Sequence, residues 1–383
     1  MNLPVSQLRA WVEVDLSQLE RNLHAIRAAL PRHLKYIAVV KADAYGHGMA
    51  AVSSRLMRAG ADLFAVANLS EAAAIRELGS GWPILLLSPL LPTEVRAAIG
   101  TDVIPVISTL EEAKALNEAA LRSQSKLRIH LKVDTGMGRL GCWHTEAQAL
   151  YRQLAQLPAL QVDGVCTHFS SADTDPEFTR VQRKRFESVL QQLKPAPAAG
   201  CILHADNSAG IDTFPKDGPL NAARIGLLQF GIKPHPGSLL EQVSVAPVLS
   251  FRTRVGLIKK LPADTPISYG QTHRLPKAGR IAILTAGYAD GIPTSLSNRG
   301  EVLIRGQRCT IIGRVTMDQT IVDVSQLNEI HPGDPVTIVG KDGRESIHVH
   351  DFCQHTGQIE WEFFCNLSKR VTRQYLTGTI ARP

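Results

Sequence analysis

Between Leu127 and Gly141 the chain reads LRIHLKVDTGMGRLG, and its first eight residues alternate: Leu127, Ile129, Leu131 and Val133 are apolar, while Arg128, His130, Lys132 and Asp134 are polar. Successive side chains of a β-strand point to opposite faces, so this strand has one apolar face and one charged face. If the apolar set packs on surrounding helices, the charged set points into a closed sheet, and Lys132 and Asp134 emerge at its end. Charge inside a sheet is costly unless it is paired or used, and a bound anionic ligand is one such use.

Outward from this strand, between Tyr36 and about Gly231, similar short apolar runs recur: YIAVVK, LFAVAN, ILLLS and VIPVIS before it, and LQVDGVCTH, CILHADN and AARIG after it, eight with LRIHLKVD itself. Helix signals fall between them. Thr109 and Glu112 are spaced as a capping box, and Asp175 precedes Pro176 at a first helical position. Ahead of the first run, Ser17 and Glu20 form another such spacing, with Leu19, Leu23, Ile26 and Leu30 on one helical face. Eight strand–helix units predict a TIM (β/α)8 barrel, whose functional residues sit where the strands end. The alternative is an open doubly wound sheet. The strand ends carry Lys41, Asn68, Ser88, Ser108, Lys132 with Asp134, His168, Asn207 and Arg224.

After about Gly237 the helical pattern fades, and runs such as VLSFRTRVGLIKKL, RIAILTAGYADG and CTIIGRVTMDQTIVDV alternate with Gly, Pro and Asp. The expected division is a barrel over residues 1–240, whose first ten or so residues could pack with the second domain, and a mainly β domain over residues 241–383.

With 44% hydrophobic and 20% charged residues in 383, the chain can bury a sizeable core. The net charge of +7 is spread without a basic tail or arginine-rich run, so nucleic-acid binding is not expected. Cys142, Cys166, Cys201, Cys309, Cys353 and Cys365 follow no disulfide or metal-site spacing and read as reduced thiols, with no metal expected. No leader pattern or long apolar run is visible, which predicts a cytoplasmic protein away from membranes.

Four constellations carry chemistry. In KADAYGHG, Lys41 ends the first barrel run; a lysine whose amine is made less basic by burial can form a Schiff base with an aldehyde, and Tyr45 offers a hydroxyl donor beside close-approach glycines. In DTGMGRLG, Gly136, Gly138 and Gly141 have dinucleotide-loop spacing, but they follow the fifth strand and enclose Arg139; a tight turn projecting Arg139 over the barrel mouth is the better reading. Asn207, Ser208, Gly226 and Leu227 follow the seventh and eighth runs, where such barrels bind phosphate, and Arg224 lies inside the eighth. In the β domain SYGQT, GYADGIP and GRVTMDQT gain meaning only if that domain completes a site made elsewhere.

Taken in order, VVKADAYGHG, KVDTGMGRLG, HFSSAD, ADNSA, GYADG and GRVTMDQ resemble the alanine racemase family over nearly the whole chain. The resemblance implies a pyridoxal 5'-phosphate enzyme that interconverts L- and D-alanine and works as a head-to-tail homodimer, each β domain reaching its partner's barrel. It implies Lys41 as cofactor anchor and base on the D face, Tyr288 of the other subunit as base on the L face, and His168 hydrogen-bonded to that phenol. Arg139 would hold the cofactor phenolate and the substrate carboxylate, and Met317 of the partner subunit would bind that carboxylate. Tyr45, Asn207, Ser208, Gly226 and Leu227 would surround the phosphate. Arg224 would face the pyridine nitrogen, and because a guanidinium only donates, that nitrogen would stay an acceptor. Lys132 matches a lysine often carbamylated in the family. Lys369 stands where members commonly carry a tyrosine lining the phosphate, Thr316 where a small thiol is frequent, and Gln229–Phe230 where Met-Tyr is common. A broader amino-acid racemase, acting for example on serine, and a barrel-type pyridoxal-phosphate decarboxylase are the alternatives; a cofactor-binding protein without catalysis would have no use for the further β domain. The expected role is D-alanine supply for peptidoglycan precursors.

Overall fold

In a computed structural model, residues 4–194, 196–213, 218–233 and 243–378 are described. The chain divides into two compact units: residues 19–44 with 49–246, and residues 1–18 with 45–48 and 247–383. The expected boundary between residues 240 and 241 lies outside the described residues.

The first strand, β1 (Ala10–Asp15), leads into α1 (Leu16–Ala29). The larger unit then alternates β2 (Lys35–Val39), α2 (Met49–Ala59), β3 (Leu63–Val66), α3 (Leu69–Leu78), β4 (Ile84–Leu86), α4 (Val95–Gly100), β5 (Val103–Ile107), α5 (Leu110–Arg122) and β6 (Leu127–Asp134). It continues through a short β7 (Cys142–Trp143), α6 (Ala147–Leu154), β8 (Leu160–Cys166), α7 (Pro176–Gln192), β9 (Ile202–His204) and β10 (Ala222–Ile225). Leaving β7 aside, neighbouring strands pair in parallel from β2 round to β10, and β10–β2 closes the ring of eight. This is the barrel that the eight apolar runs predict.

The alternation in β6 is expressed as expected. Leu127, Ile129, Leu131 and Val133 join a core with Ala113 and Leu116 of α5 and Leu150 of α6, whereas His130 on the opposite face meets His204 of β9 at 2.9 Å. A bulge in β8 shifts its register between Ile129↔Val162 and His130↔Gly164. Glycine is required there: a Cβ on Gly164 would lie 2.5 Å from Cδ2 and Cε1 of the His130 ring.

The Thr109–Glu112 box and the Asp175 cap form as read. The Ser17–Glu20 box does not. Asp15 caps α1, its Oδ1 accepting from the Gln18 N–H at 2.8 Å, while the Ser17 hydroxyl donates to the Gly378 carbonyl and Glu20 pairs with Arg55 at 2.8 Å. The carboxylate one residue before the helix reaches the free N–H groups that a serine already inside the first turn cannot. After β9 and β10 the described residues carry only 3-10 turns, Gly210–Thr213 and Leu227–Phe230, in place of long helices.

The second unit is built on β11 (Leu249–Leu261). It continues through the hairpin β12 (Pro266–Ile267) and β13 (His273–Arg274), β14 (Gly279–Leu284), β15 (Glu301–Ile304), β16 (Gln307–Thr310), β17 (Thr320–Asp323), β18 (Pro335–Asp342), β19 (Glu345–Ile347), α8 (Val349–Thr356), α9 (Glu360–Cys365) and β20 (Thr372–Leu376). Its main sheet runs β16-β15-β18-β11-β1-β20, with β14 pairing both β11 and β17. Thus β1, from the start of the chain, lies between β11 and β20. Phe251, Phe352, Phe363 and Phe364 pack their rings together in its core.

Candidate active site

Lys41 stands just past the end of β2. After it the backbone does something unusual: Ala42, Asp43, Ala44 and Tyr45 are all left-handed, with φ between 53° and 55°. Each such non-glycine residue costs about 1–2 kcal/mol, so the turn stores roughly 4–8 kcal/mol. Strain of this size persists only where the surroundings impose it, and it concentrates at functional sites. Glu71 is one restraint, accepting from the Ala42 N–H at 2.7 Å and the Ala67 N–H at 2.8 Å, while Asp43 accepts from Met49 N–H at 2.7 Å.

At the end of β6, Asp134 explains the glycine spacing. Its carboxylate accepts from the N–H groups of Gly136, Met137 and Gly138 at 2.8, 2.8 and 2.9 Å. Gly141 then passes so close to β6 that a Cβ would lie 2.7 Å from the Asp134 nitrogen. The result is a tight turn, and its exposed Arg139 shares a cleft with Lys132, Asp134 and His168. Half-buried Lys132 is pushed down to about 8, chiefly by desolvation, with the Arg224 and Arg139 cations adding to the effect. An amine in that range is partly neutral and nucleophilic near neutral pH, as addition to carbon dioxide requires.

Arg224 organises the barrel interior. It donates to both the carbonyl and Nδ1 of His204, to the carbonyls of Thr167 (2.9 Å) and Ala205 (2.6 Å), and to Nδ1 of His168 (2.9 Å). Because guanidinium has no acceptor, both histidines must offer a bare Nδ1 and carry their proton on Nε2. His204 therefore donates from Nε2 to Nδ1 of His130, and His130 too is an Nε2–H tautomer. Charge on these rings is disfavoured: burial first, then neighbouring cations, push His168 and His204 well below the usual histidine range, and His130 to about 3. His168 is thus a neutral donor facing the cleft. All these bonds use the terminal nitrogens of Arg224; its Nε–H engages no partner among the described residues.

Beyond β9, the buried Asp206 is held by Arg183 at 2.5 Å, and the Ser208 hydroxyl accepts from the N–H groups of Gly226 (3.0 Å) and Leu228 (3.3 Å). Asn207 accepts from Gly210 N–H at 2.8 Å. The loops that carry Asn207 with Ser208 and Gly226 with Leu227 are therefore brought together. His204, Asp206 and Arg183 were not singled out from the sequence. The polar residues within the apolar CILHADN run are a signal for the first two; nothing local marks Arg183, which lies on α7.

In the second unit three loops noted in the sequence meet at one edge. Tyr288 N–H donates to the Thr316 carbonyl at 2.9 Å and Ala289 N–H to the Met317 carbonyl at 3.0 Å, an approach so close that a Cβ on Gly287 would lie 2.6 Å from the Met317 oxygen. The Ser268 hydroxyl donates to the Arg314 carbonyl at 2.7 Å. Arg370, next to exposed Lys369, reaches Asp290 at 3.3 Å and Asp318 at 2.8 Å. Met317 and Tyr288 are 52% and 45% exposed, and Tyr269 is 73% exposed. Tyr269 sits on a strained turn: Ser268 has φ 61° and ψ −172°, a region almost reserved for glycine, and Gly270 and Gln271 also have positive φ.

The donor set at the barrel mouth fits an aldehyde-bearing pyridine phosphate: an amine at Lys41, an unengaged guanidinium N–H at Arg224 for a pyridine nitrogen, Arg139 for anionic oxygens, and the joined Ser208 and Gly226 loops for phosphate.

Residues 14–234 match the family model described as alanine racemase, N-terminal domain, and residues 248–375 that described as alanine racemase, C-terminal domain. The alanine racemase of Halothermothrix orenii is 38% identical over 366 residues, covering 95% of this chain and 96% of the relative. Among solved structures, alanine racemase of Clostridium difficile superposes with a TM-score of 0.90 at 30% identity, covering 98% of this chain and 97% of the other. The alanine racemase of Bartonella henselae, solved with covalently bound pyridoxal phosphate, gives 0.86 at 25% identity, covering 96% and 99%.

Proposed function

The chain belongs to the alanine racemase family, and we propose that its two units divide the work of Cα proton transfer, one base from the barrel and one from the β domain of a partner subunit. It is a pyridoxal-phosphate-dependent isomerase interconverting L- and D-alanine. The serine-racemase and decarboxylase alternatives are not favoured.

Bound pyridoxal phosphate supplies an electron sink that acidifies the Cα–H of alanine. Lys41 would anchor it through its amine and would serve as the base on the D face. Arg224 would offer its Nε–H to the pyridine nitrogen; because a guanidinium only donates, that nitrogen would stay an acceptor and the sink moderate, which would disfavour side reactions. Tyr45, Asn207, Ser208, Gly226, Leu227 and Lys369 would hold the phosphate. Arg139 would hold the cofactor phenolate and, with the Met317 backbone from the other subunit, the substrate carboxylate. The fixed Nε2–H of His168 would donate to the opposing phenol and orient it. Lys132 as its carbamate would turn a cation beside Arg139 into an anion. The barrel over residues 1–240, the β domain over 241–383, the head-to-tail dimer, a cytoplasmic location and D-alanine supply for peptidoglycan belong to the same reading.

The family resemblance implies Tyr288 as the second base. The geometry favours Tyr269: a base that must reach into another subunit's site has to project, and Tyr269 is the more exposed phenol, on the strained turn. Tyr288, bound through its backbone to the Met317 loop, then lines the site beside it. The observation that carries the reading as a whole is the Lys41 amine and the neutral, Arg224-locked His168 at one barrel mouth.

The test follows conversion and Cα deuterium from L- and from D-alanine in D2O. Tyr269→Phe should lose about 10²–10⁴-fold, the range for a removed acid–base group, and Tyr288→Phe less than about tenfold. The reverse order returns the role to Tyr288, and a wild-type protein that leaves alanine unchanged overturns the assignment of the bases altogether.

A further inference from the structure

The left-handed turn after Lys41 is held at both ends, and its far end is held from the C-terminus. Gly46, His47 and Gly48 follow it directly and belong to the same compact unit as β20 and α9. Each is pinned there. A Cβ on Gly46 would collide with the Phe364 carbonyl, and one on Gly48 with the Tyr375 hydroxyl; the His47 ring packs on Phe364 at 5.0 Å. The directional bond comes from Arg373 of β20, whose Nε donates to the Gly46 carbonyl at 3.2 Å. Its other nitrogens bind the carbonyls of Ser368 and Val371, both at 2.7 Å, and of Leu367 at 2.8 Å. One half-buried guanidinium therefore fastens residues 367–371 to the loop that ends the strained turn.

We propose that Arg373 is a positioning residue for the cofactor: by tying the Gly46 carbonyl to the 367–371 segment, it holds the left-handed Ala42–Tyr45 turn and so fixes where the Lys41 amine and the Tyr45 hydroxyl stand. Left-handed alanines and a tyrosine relax toward the ordinary right-handed or extended regions unless both ends are fixed. Glu71 fixes the end near Lys41, and Asp43 ties the middle of the turn to Met49. Arg373 fixes the other end. Only a planar fork with several N–H groups can serve four carbonyls at once; a lysine ammonium in the same place reaches fewer of them. The inference rests on the reading that Lys41 carries pyridoxal phosphate.

Arg370 is the internal control. It lies on the same segment but reaches the other way, to Asp290 and Asp318, so it shares any general contribution of the segment to folding without touching the Gly46 loop.

The experiment titrates cofactor-free wild type, Arg373→Met, Arg373→Lys and Arg370→Met with pyridoxal 5'-phosphate, reading the absorption band of the bound form and its Kd. Borohydride trapping followed by peptide mass spectrometry locates the label, and thermal melting is recorded in parallel. Expected are a Kd raised about tenfold or more in Arg373→Met, the loss typical when a group supporting a ligating residue is removed. A smaller rise is expected in Arg373→Lys, a displaced absorption band in both, and an Arg370→Met Kd within about twofold of wild type. If Arg373→Met does not fold, Arg373→Lys with Gly46→Ala carries the test, each expected to weaken binding at unchanged stoichiometry. Wild-type affinity in the Arg373 variants overturns the proposal, as does equal weakening by Arg370→Met, which would reduce the segment to general support. A label on wild type anywhere but Lys41 is a different result: it removes the cofactor reading itself, and the positioning role with it.

Discussion

Gly164→Ala is the sharpest test of the barrel interior. The new methyl carbon would lie 2.5 Å from Cδ2 and Cε1 of His130, where ordinary contacts begin near 3.4 Å, so the ring has to retreat by about 1 Å. It has nowhere to go: His130 is fully buried, and its Nδ1 accepts from His204 at 2.9 Å. Adding about 1 Å takes that bond beyond hydrogen-bonding distance. Overpacking costs about 1–3 kcal/mol, and leaving two buried ring nitrogens unpaired about 1–3 more. The sum is about 2–6 kcal/mol, which at about 2–4 °C per kcal/mol lowers Tm by roughly 8–16 °C at mid-range. Catalysis should suffer less than about tenfold, because Arg224 keeps its bonds to Thr167, Ala205 and His168. Differential scanning calorimetry on Gly164→Ala, His130→Ala and the double variant gives the cycle. Deleting the ring should cost at least about 1.5 kcal/mol less in the alanine background. A Gly164→Ala protein melting within about 2 °C of wild type, or strict additivity, would refute the argument.

Acid should destabilise the barrel from the inside. His130, His168 and His204 stay neutral when folded but take protons near pH 6.5 when unfolded, so the unfolded chain binds more protons below that point. Their contribution is complete above pH 6.5 and is lost as pH falls toward the folded values. From pH 8 to 5.5 that is about 1.4 kcal/mol per ring, or about 4 in all, read from urea midpoints; a flat profile contradicts it. Arg183→Met strands the buried Asp206 carboxylate and should cost about 3–5 kcal/mol at neutral pH. Burial already holds that carboxyl above its ordinary range, and losing Arg183 raises it further. The penalty should therefore shrink as pH falls through the folded pKa, and Asp206→Asn in the same chain should recover much of it; a pH-independent loss in chemical denaturation would count against the ion pair.

The barrel was legible because its period is local. Apolar runs of strand length and helix caps such as Thr109 record where each element begins, and in Leu127–Asp134 the alternation even records which face turns inward. The donor types were legible for the same reason, since Lys41, Arg139 and His168 each follow a strand end. What the sequence could not carry was any fact that depends on two distant segments meeting. The chain from Arg224 through His204 to His130 joins three strands. It fixes a tautomer that no single residue specifies. Asp15 displaced Ser17 as the cap of α1 because one residue of register decides which oxygen reaches the free N–H groups. GYADG and SYGQT were both legible as patterns, but that Tyr269 stands 73% exposed on a strained turn and Tyr288 45% exposed against the Met317 loop was not. The hold of Arg373 on the loop after Lys41 spans more than three hundred residues. Periodicity and residue chemistry are properties of neighbours in the chain and are written in the sequence, whereas burial, protonation and strain are properties of neighbours in space, and only the folded structure assigns those.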